Sequence, residues 1–144
     1  MRVTKFSDYA LRVLIYLACI PKNELATIAE IAKAYSISVN HVRMVVYKLS
    51  QLGFVTSVQG KGGGLELAVN PAEVTLADVV RETEKDFYIV ECFNPEGNCP
   101  IVSACKLQHI LAEALDAFIG VLEQYTLADV LTNKRMLMKL IQLA

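Results

Sequence analysis

The first fifty residues carry the apolar spacing of three helices. Thr27 is followed three residues later by Glu30, a capping-box pattern that predicts a short helix through about residue 34. Ser38 can cap the next helix, which Gly53 ends near residue 52. A buried helix precedes them over residues 5–20, with apolar positions on one face at Leu11, Leu14, Ile15 and Ala18. Two helices separated by only three or four residues are typical of a helix-turn-helix.

A strand-like pattern follows the third helix. Residues 54–58 are β-branched and aromatic, and residues 65–69 return as a second apolar run. Between them lies a glycine-rich turn, Gln-Gly-Lys-Gly-Gly-Gly, at residues 59–64. A hairpin directly after a recognition helix is a wing. The pattern therefore predicts a winged helix-turn-helix, a DNA-binding domain, over residues 1–72.

The second half, residues 73–144, is expected to hold a loop and further helices. A helix should start at Thr75, and the same five residues, Thr-Leu-Ala-Asp-Val, return at 126–130, which we interpret as one capping solution used twice. Ser103 can cap a long helix from 104 to about 125. Its apolar stripe comprises Leu107, Ile110, Leu111, Ala114, Leu115, Phe118, Ile119 and Leu122. We expect this helix to pair with its copy in a homodimer; packing on its own chain is the alternative.

Charge is distributed unevenly along the chain. The 144 residues carry a net charge of −1, which excludes a protein that coats nucleic acid with a uniformly basic surface. However, residues 1–64 hold eight Lys or Arg against three Asp or Glu, and residues 65–144 hold six against twelve. The basic first half favours a polyanionic partner such as double-stranded DNA, and the acidic second half suggests another task.

Hydropathy indicates no membrane partner. The longest uncharged apolar run, between Arg12 and Lys22, is far shorter than the roughly 20 residues that span a bilayer. No small-residue cleavage site follows an apolar stretch, so we expect no signal peptide and a cytoplasmic protein. Cysteines in a reducing compartment are more often free, metal-bound or redox-active than paired in disulfides.

Two sets of residues are candidates for DNA contact. On the recognition helix, asparagine and arginine suit adenine and guanine edges, whereas lysine and tyrosine suit phosphates. At the wing tip, glycines let the backbone approach the DNA and the lysine supplies charge. Taken singly, each could be an ordinary exposed residue. The candidates are Ser38, Asn40, His41, Arg43, Tyr47 and Lys48 on the helix, and Gln59, Gly60, Lys61 and Gly62 on the wing.

Three cysteines fall within fourteen positions, at Cys92, Cys99 and Cys105. Their spacing is wider than the CxxC pairs of zinc knuckles and suits a larger inorganic unit, an iron–sulfur cluster. Inert reduced thiols and a zinc site remain alternatives. His109 is either a further ligand or an exposed polar residue, and Cys19 is expected to be a core thiol. The expected fold class is mostly α with a small β-hairpin: a winged helix-turn-helix, a cluster-binding loop and a long dimerisation helix.

These motifs together resemble a known family. They are residues 2–12 (Arg-Val-Thr-Lys-Phe-Ser-Asp-Tyr-Ala-Leu-Arg), the Gly-Lys-Gly-Gly-Gly-Leu wing at 60–65, Cys-Pro-Ile at 99–101, Ala-Cys-Lys-Leu at 104–107 and Tyr-Thr-Leu-Ala-Asp at 125–129. Over nearly the whole chain they look like the NsrR-type repressors, nitric-oxide sensors among the Rrf-type iron–sulfur winged-helix regulators of bacteria. The resemblance implies a homodimer with a [4Fe–4S] cluster on Cys92, Cys99 and Cys105. It also implies a carboxylate ligand from the first helix of the other subunit, the position that Asp8 occupies.

What the resemblance implies about function is a DNA-binding repressor, not an enzyme, that nitric oxide releases from its operator. The alternative is a regulator that senses redox state or iron supply through a [2Fe–2S] cluster. Related two-iron regulators use a His three residues after the last cysteine, where this chain has Gln108. Gln59 and Glu66 replace basic residues of many relatives, which should weaken wing contacts. A third hypothesis is a small redox enzyme that uses the cysteines as a thiol pair, but this hypothesis leaves the helix-turn-helix unexplained.

Overall fold

The computed structural model describes residues 1–141 and confirms the expected fold class. Within that range it contains six α-helices and one two-stranded antiparallel sheet. The elements are α1 (Lys5–Cys19), α2 (Ile28–Tyr35), α3 (Val39–Gln51), β1 (Val55–Val58), β2 (Gly64–Leu67), α4 (Leu76–Thr83), α5 (Lys106–Glu123) and α6 (Lys134–Leu140). The domain division at residue 72 stays a prediction, and its last residues, 142–144, lie outside the described range.

Local hydrogen bonds set the limits of the helix-turn-helix as the sequence predicted. Thr27 Oγ1 accepts from the Glu30 amide at 3.2 Å, and the Glu30 carboxylate accepts from the Thr27 amide at 2.6 Å. This capping box starts α2, and a left-handed Ser36 (φ 54°) ends it. Ser38 Oγ accepts from the His41 amide at 3.2 Å and starts α3. Each cap satisfies a backbone donor that the helix leaves unpaired.

The wing is a short hairpin fixed to the helical body. Val55 pairs with Leu67 and Val58 pairs with Gly64. A Cβ at Gly63 would lie 2.2 Å from the Val58 carbonyl oxygen, so only glycine fits this turn. At the base of the wing, Leu65 exchanges two backbone hydrogen bonds with Ala26, of 2.7 and 3.0 Å, just before α2 begins. The wing is therefore tied to the turn that precedes the helix-turn-helix.

Helix α1 lies at the centre of the core and contacts α3, α4, β2 and α6. Cys19 is fully buried, as expected, and burial raises the pKa of its thiol. The core continues from the helix-turn-helix into the second half of the chain. Its buried apolar members include Ala10, Val13, Leu14, Leu17, Ile31, Val42, Val45, Leu49, Val55, Leu65, Val74, Val79 and Leu127.

The two Thr-Leu-Ala-Asp-Val segments use the same cap, as interpreted from the sequence, and they also pair with each other. The Leu76 amide donates to the Tyr125 carbonyl and the Leu127 amide to the Val74 carbonyl, both at 2.8 Å. The first segment opens α4, whereas the second leads only into a 3-10 turn, Asp129–Leu131. Backbone and side-chain hydrogen bonds from Thr126 lower the pKa of Asp129. The pairing brings the end of α5 back to the start of α4.

The predicted start of the long helix was wrong. Ser103 makes no cap, because Val102–Ala104 form a 3-10 turn and α5 begins two residues later than expected, at Lys106. Cys105 takes the N-cap position in an extended conformation, without a side-chain hydrogen bond. Among residues 1–141, no helix combines the length and the hydropathy needed to cross a membrane.

Candidate nucleic-acid interface and cysteine loop

The outer face of α3 presents polar side chains in an ordered arrangement. Asn40, Arg43 and Tyr47 are exposed, while the opposite face of the helix is buried in the core. Arg43 Nη1 donates to Asn40 Oδ1 at 2.8 Å, and Gln51 Nε2 donates to the Tyr47 hydroxyl at 3.1 Å. These bonds hold the side chains in fixed positions before any ligand arrives, which lowers the entropy lost on binding.

The wing and α3 form the two sides of one groove. Arg43 lines it from α3, Ser57 and Gln59 line it from the hairpin, and Ile28 lines it from the start of α2. The four wing-tip candidates, residues 59–62, are all exposed. The structure thus brings helix and wing candidates to one surface, which is the arrangement that winged-helix contact with a duplex requires.

His41 and Lys48 lie on the α1 side of the recognition helix. The His41 ring is tilted against Tyr9, with centroids 6.1 Å apart. Ser38 is exposed and serves as the N-cap of α3. A DNA-binding role for each of these three residues stays a prediction.

The three loop cysteines are free and half-buried. Cys92 lies in the 3-10 turn Glu91–Phe93, and Cys105 lies directly before α5. Gln108 Nε2 donates to the Cys92 carbonyl at 3.3 Å, so α5 holds the first part of the loop. A Cβ at Gly97 would lie 2.4 Å from the Glu91 carbonyl, which makes the loop turn a position for glycine.

Within residues 1–141 no three His, Cys, Asp or Glu side chains are arranged to hold a metal ion. The described conformation therefore does not gather the cysteines into a closed single-ion site. Their chemistry fits a different group: three free thiols on one loop are the donor type that iron–sulfur clusters use. His109 is exposed on α5 and has no contact that marks it as a ligand. Ligation by Cys92, Cys99 and Cys105 stays a prediction.

Asp8 lies in the first turn of α1 and forms a bidentate ion pair with Arg12. Arg12 Nε and Nη2 donate to the two carboxylate oxygens at 2.9 and 2.8 Å. The Arg12 guanidinium also lies over the rings of Tyr9 and Tyr35, at 5.8 and 5.9 Å. Burial, with Cys19 nearby, raises the pKa of Tyr35 to about 12 despite the arginine. The carboxylate is 43% exposed, so an incoming group can still reach it.

A hydrogen-bonded clasp joins the start of α1 to the end of α4, where the cysteine loop begins. Glu84 Oε1 accepts from the Thr4 amide at 2.8 Å and from its hydroxyl at 2.9 Å. Beneath it, Thr83 Oγ1 donates to Ser7 Oγ at 2.8 Å, and Ser7 is fully buried. The loop is therefore anchored to the helix that supports α3.

Comparison with known proteins identifies the family of this chain. Residues 3–133 match the family model described as "Rrf2: Iron-dependent Transcriptional regulator". The chain belongs to the Rrf2 family. This Rrf2 chain is 48% identical over 144 residues to the HTH-type transcriptional regulator NsrR of Bacillus subtilis strain 168, covering 99% of each. It is 44% identical over 144 residues to NsrR of Halalkalibacterium halodurans, again covering 99% of each.

Solved structures of Rrf2-type regulators share the fold. CymR, described as the global cysteine regulator of B. subtilis, is 25% identical and matches with a TM-score of 0.73 over 90% of this chain and 95% of that one. T. potens IscR is 21% identical, with a TM-score of 0.73 over 92% and 88%. The resemblance to NsrR-type regulators is confirmed, and this Rrf2 protein is a transcriptional regulator, not an enzyme.

Sequence reasoning missed one exposed residue on the recognition helix of this Rrf2 protein. Met44 is 61% exposed, one turn after Asn40 and on the same outer face. It was not among the candidates for DNA contact. Helical spacing relative to the buried Val42 and Val46 was the signal that could have placed it outside.

Proposed function

We propose that this regulator is a repressor that binds a double-stranded DNA operator as a homodimer in the bacterial cytoplasm. Nitric oxide releases it from DNA, and the sensor is a [4Fe–4S] cluster held by Cys92, Cys99 and Cys105. Asp8 of the other subunit supplies the remaining ligand. The observation that carries this proposal is a loop of three free thiols anchored at Glu84 to the helix that supports the DNA-binding surface.

The DNA-binding part rests on the groove between α3 and the wing. Asn40 and Arg43, joined by their hydrogen bond, face outward without an acidic residue on the whole of α3. Arginine can donate two bonds to guanine and asparagine can pair with adenine. Lys48 and Lys61 add positive charge at the two sides of this surface. This arrangement of side chains favours base contacts from α3 and phosphate contacts from the wing.

The homodimer rests on the outer face of α5. The inner half of the predicted stripe packs on α4, and Arg81 of α4 forms an ion pair with Glu123 of α5. The outer half stays exposed, with Leu107 and Ile110 each 60% accessible. Together with Ala117 and Val121, which lie outside the predicted stripe, the exposed stripe residues Leu107, Ile110 and Ala114 form an apolar face spaced three and four apart like a coiled-coil seam. A second copy of the helix suits this face, since a two-fold operator calls for a two-fold protein.

The chain's own residues provide the link between signal and DNA. The cluster would supply iron that nitric oxide can bind. The cysteine thiolates would hold it on the loop, and Asp8 of the other subunit would reach it from the first turn of α1. Each carboxylate has about four lone-pair sites, so Asp8 can keep Arg12 as partner and still accept one more ligand bond. Without that bond, α1, and with it α3, would be free to change position relative to the other subunit.

The test is anaerobic purification followed by native mass spectrometry and iron and sulfide analysis, with operator affinity measured before and after nitric oxide. Four irons and four sulfides per chain, with nitrosylation that parallels the loss of affinity, are expected. Two irons per chain would instead favour the redox or iron-supply regulator with a [2Fe–2S] cluster. Zinc, or no metal under reducing conditions, would contradict the sensor and leave a DNA-binding regulator.

A further inference from the structure

Met44 is an apolar side chain on a face that is otherwise polar. It lies between Asn40, one turn before it, and Lys48, one turn after it. Burying a methionine gains free energy, so leaving one 61% exposed on a short helix removes that gain from folding. Nothing in α1 to α6 covers the whole side chain. Exposed apolar side chains are common on protein surfaces, so the case for a partner depends on what surrounds Met44.

The surroundings of Met44 favour a nucleic acid as that partner. Lys5 and Lys48 lie beside it along the depression between α3 and the start of α1. Helix α3 itself carries no Asp or Glu. Glu84 and Asp86 also line the depression, but Lys85 lies between them in the chain and Glu84 is already bonded to Thr4. An exposed apolar side chain with lysines beside it suits the groove of a DNA duplex, whose phosphates are negative, better than the apolar surface of another protein.

The major groove of DNA offers one apolar group on its base edges, the 5-methyl group of thymine. Side chains at i and i+4 of a helix lie roughly 6 Å apart, which is less than two base-pair steps of ~3.4 Å. We propose that Met44 contacts a thymine methyl in the operator, within two base pairs of the base that Asn40 reads. This inference rests on the proposed DNA-binding function and adds a base preference to it.

The experiment replaces each thymine of an operator duplex, selected in vitro with the wild-type homodimer, by deoxyuridine. This change removes only the methyl group. At one thymine of each half-site, deoxyuridine should lower wild-type affinity by about three- to fivefold, the effect of removing one buried methyl from a contact. Met44→Leu keeps an apolar side chain and should keep this loss. Met44→Gln, of similar length but polar, should show no difference between thymine and deoxyuridine.

Lys61→Ala is the matched control, because it should weaken binding to both duplexes equally. The inference is overturned if no deoxyuridine affects the wild type, or if Met44→Gln keeps the methyl effect. It is also overturned if Met44→Gln changes the sedimentation of the free protein, which would place Met44 in a contact between copies. Failure to select any duplex would count against DNA binding itself and is thereby distinguished from failure of the methyl contact.

Discussion

Arg12 donates to both carboxylate oxygens of Asp8, at 2.9 and 2.8 Å, across one turn of α1. The pair fixes the carboxylate at the surface of the first helix, where the proposed cluster of another subunit could reach it. Bidentate charge-assisted bonds of this kind restrict orientation as well as adding energy. The geometry makes Asp8 an ordered ligand candidate, and the pair can be tested directly.

Replacing Asp8 with Asn should alter the proposed cluster without abolishing it. The three cysteines would still hold iron and sulfide, but a neutral amide is a poorer ligand than a carboxylate. Visible absorption and circular dichroism of anaerobic protein should shift, and nitric oxide should change DNA affinity less. Asp116→Asn, an exposed acid on α5, serves as the control. An unchanged spectrum together with an unchanged DNA response would rule out Asp8 as a ligand.

Replacing Cys99 with Ala should remove bound iron and sulfide, whereas replacing Cys19 should not. Cys19 is fully buried, so Cys19→Ala should cost about 1 kcal/mol of unfolding free energy yet keep the cluster. Iron analysis and urea unfolding on the same samples separate the two effects. Full iron content in Cys99→Ala would show that the loop cysteines are not ligands.

Arg43→Ala should lower operator affinity by about 1–3 kcal/mol and relax the preference at one base pair. Lys61→Ala should instead weaken binding to all sequences and reduce the slope of log affinity against log salt by about 1. Both are measured by fluorescence anisotropy on operator and scrambled duplexes over a salt series. Equal loss on both duplexes for Arg43→Ala would make it a phosphate contact.

Thr83→Val should destabilise the fold by about 1–3 kcal/mol, because it removes the hydroxyl that bonds to the buried Ser7 hydroxyl and to the Val79 carbonyl. The size and shape of the side chain are nearly unchanged, so the loss reports these two hydrogen bonds. Urea unfolding measures it. Ser103→Ala, at an exposed position without a cap bond, should stay within about 0.5 kcal/mol of wild type. Equal stability of the two variants would show that the clasp is not stabilising.

Ile110→Asp should shift the homodimer toward monomer, because it places a charge in the exposed apolar face of α5. His109→Asp introduces the same side chain one position away, on the polar face, and should leave the assembly unchanged. Sedimentation velocity at several protein concentrations measures both. A dimeric Ile110→Asp protein with wild-type affinity between subunits would move the interface away from α5.

The sequence by itself determined the local parts of this protein. Capping at Thr27, Ser38 and Thr75 depends on side chains that bond to a backbone amide three residues away, so short patterns were sufficient to predict where helices begin. The same holds for the wing, where Gly63 is required because a Cβ at that position would clash with the nearby Val58 carbonyl oxygen. Ser103 was the exception, since the 3-10 turn that replaces its cap lies in a loop without helical periodicity.

Only the tertiary structure decided which apolar residues are buried and which segments meet. The stripe of α5 divides into a half that packs on α4 and a half left open, a distinction that depends on where α4 lies. Likewise, the pairing of Leu76 with Tyr125 and the clasp of Ser7 with Thr83 join residues far apart in the chain. Periodicity shows that a side chain shares a face with others, but not what that face contacts. Helical spacing could have placed Met44 outward on α3, but only the packing of the other helices shows that it stays 61% exposed.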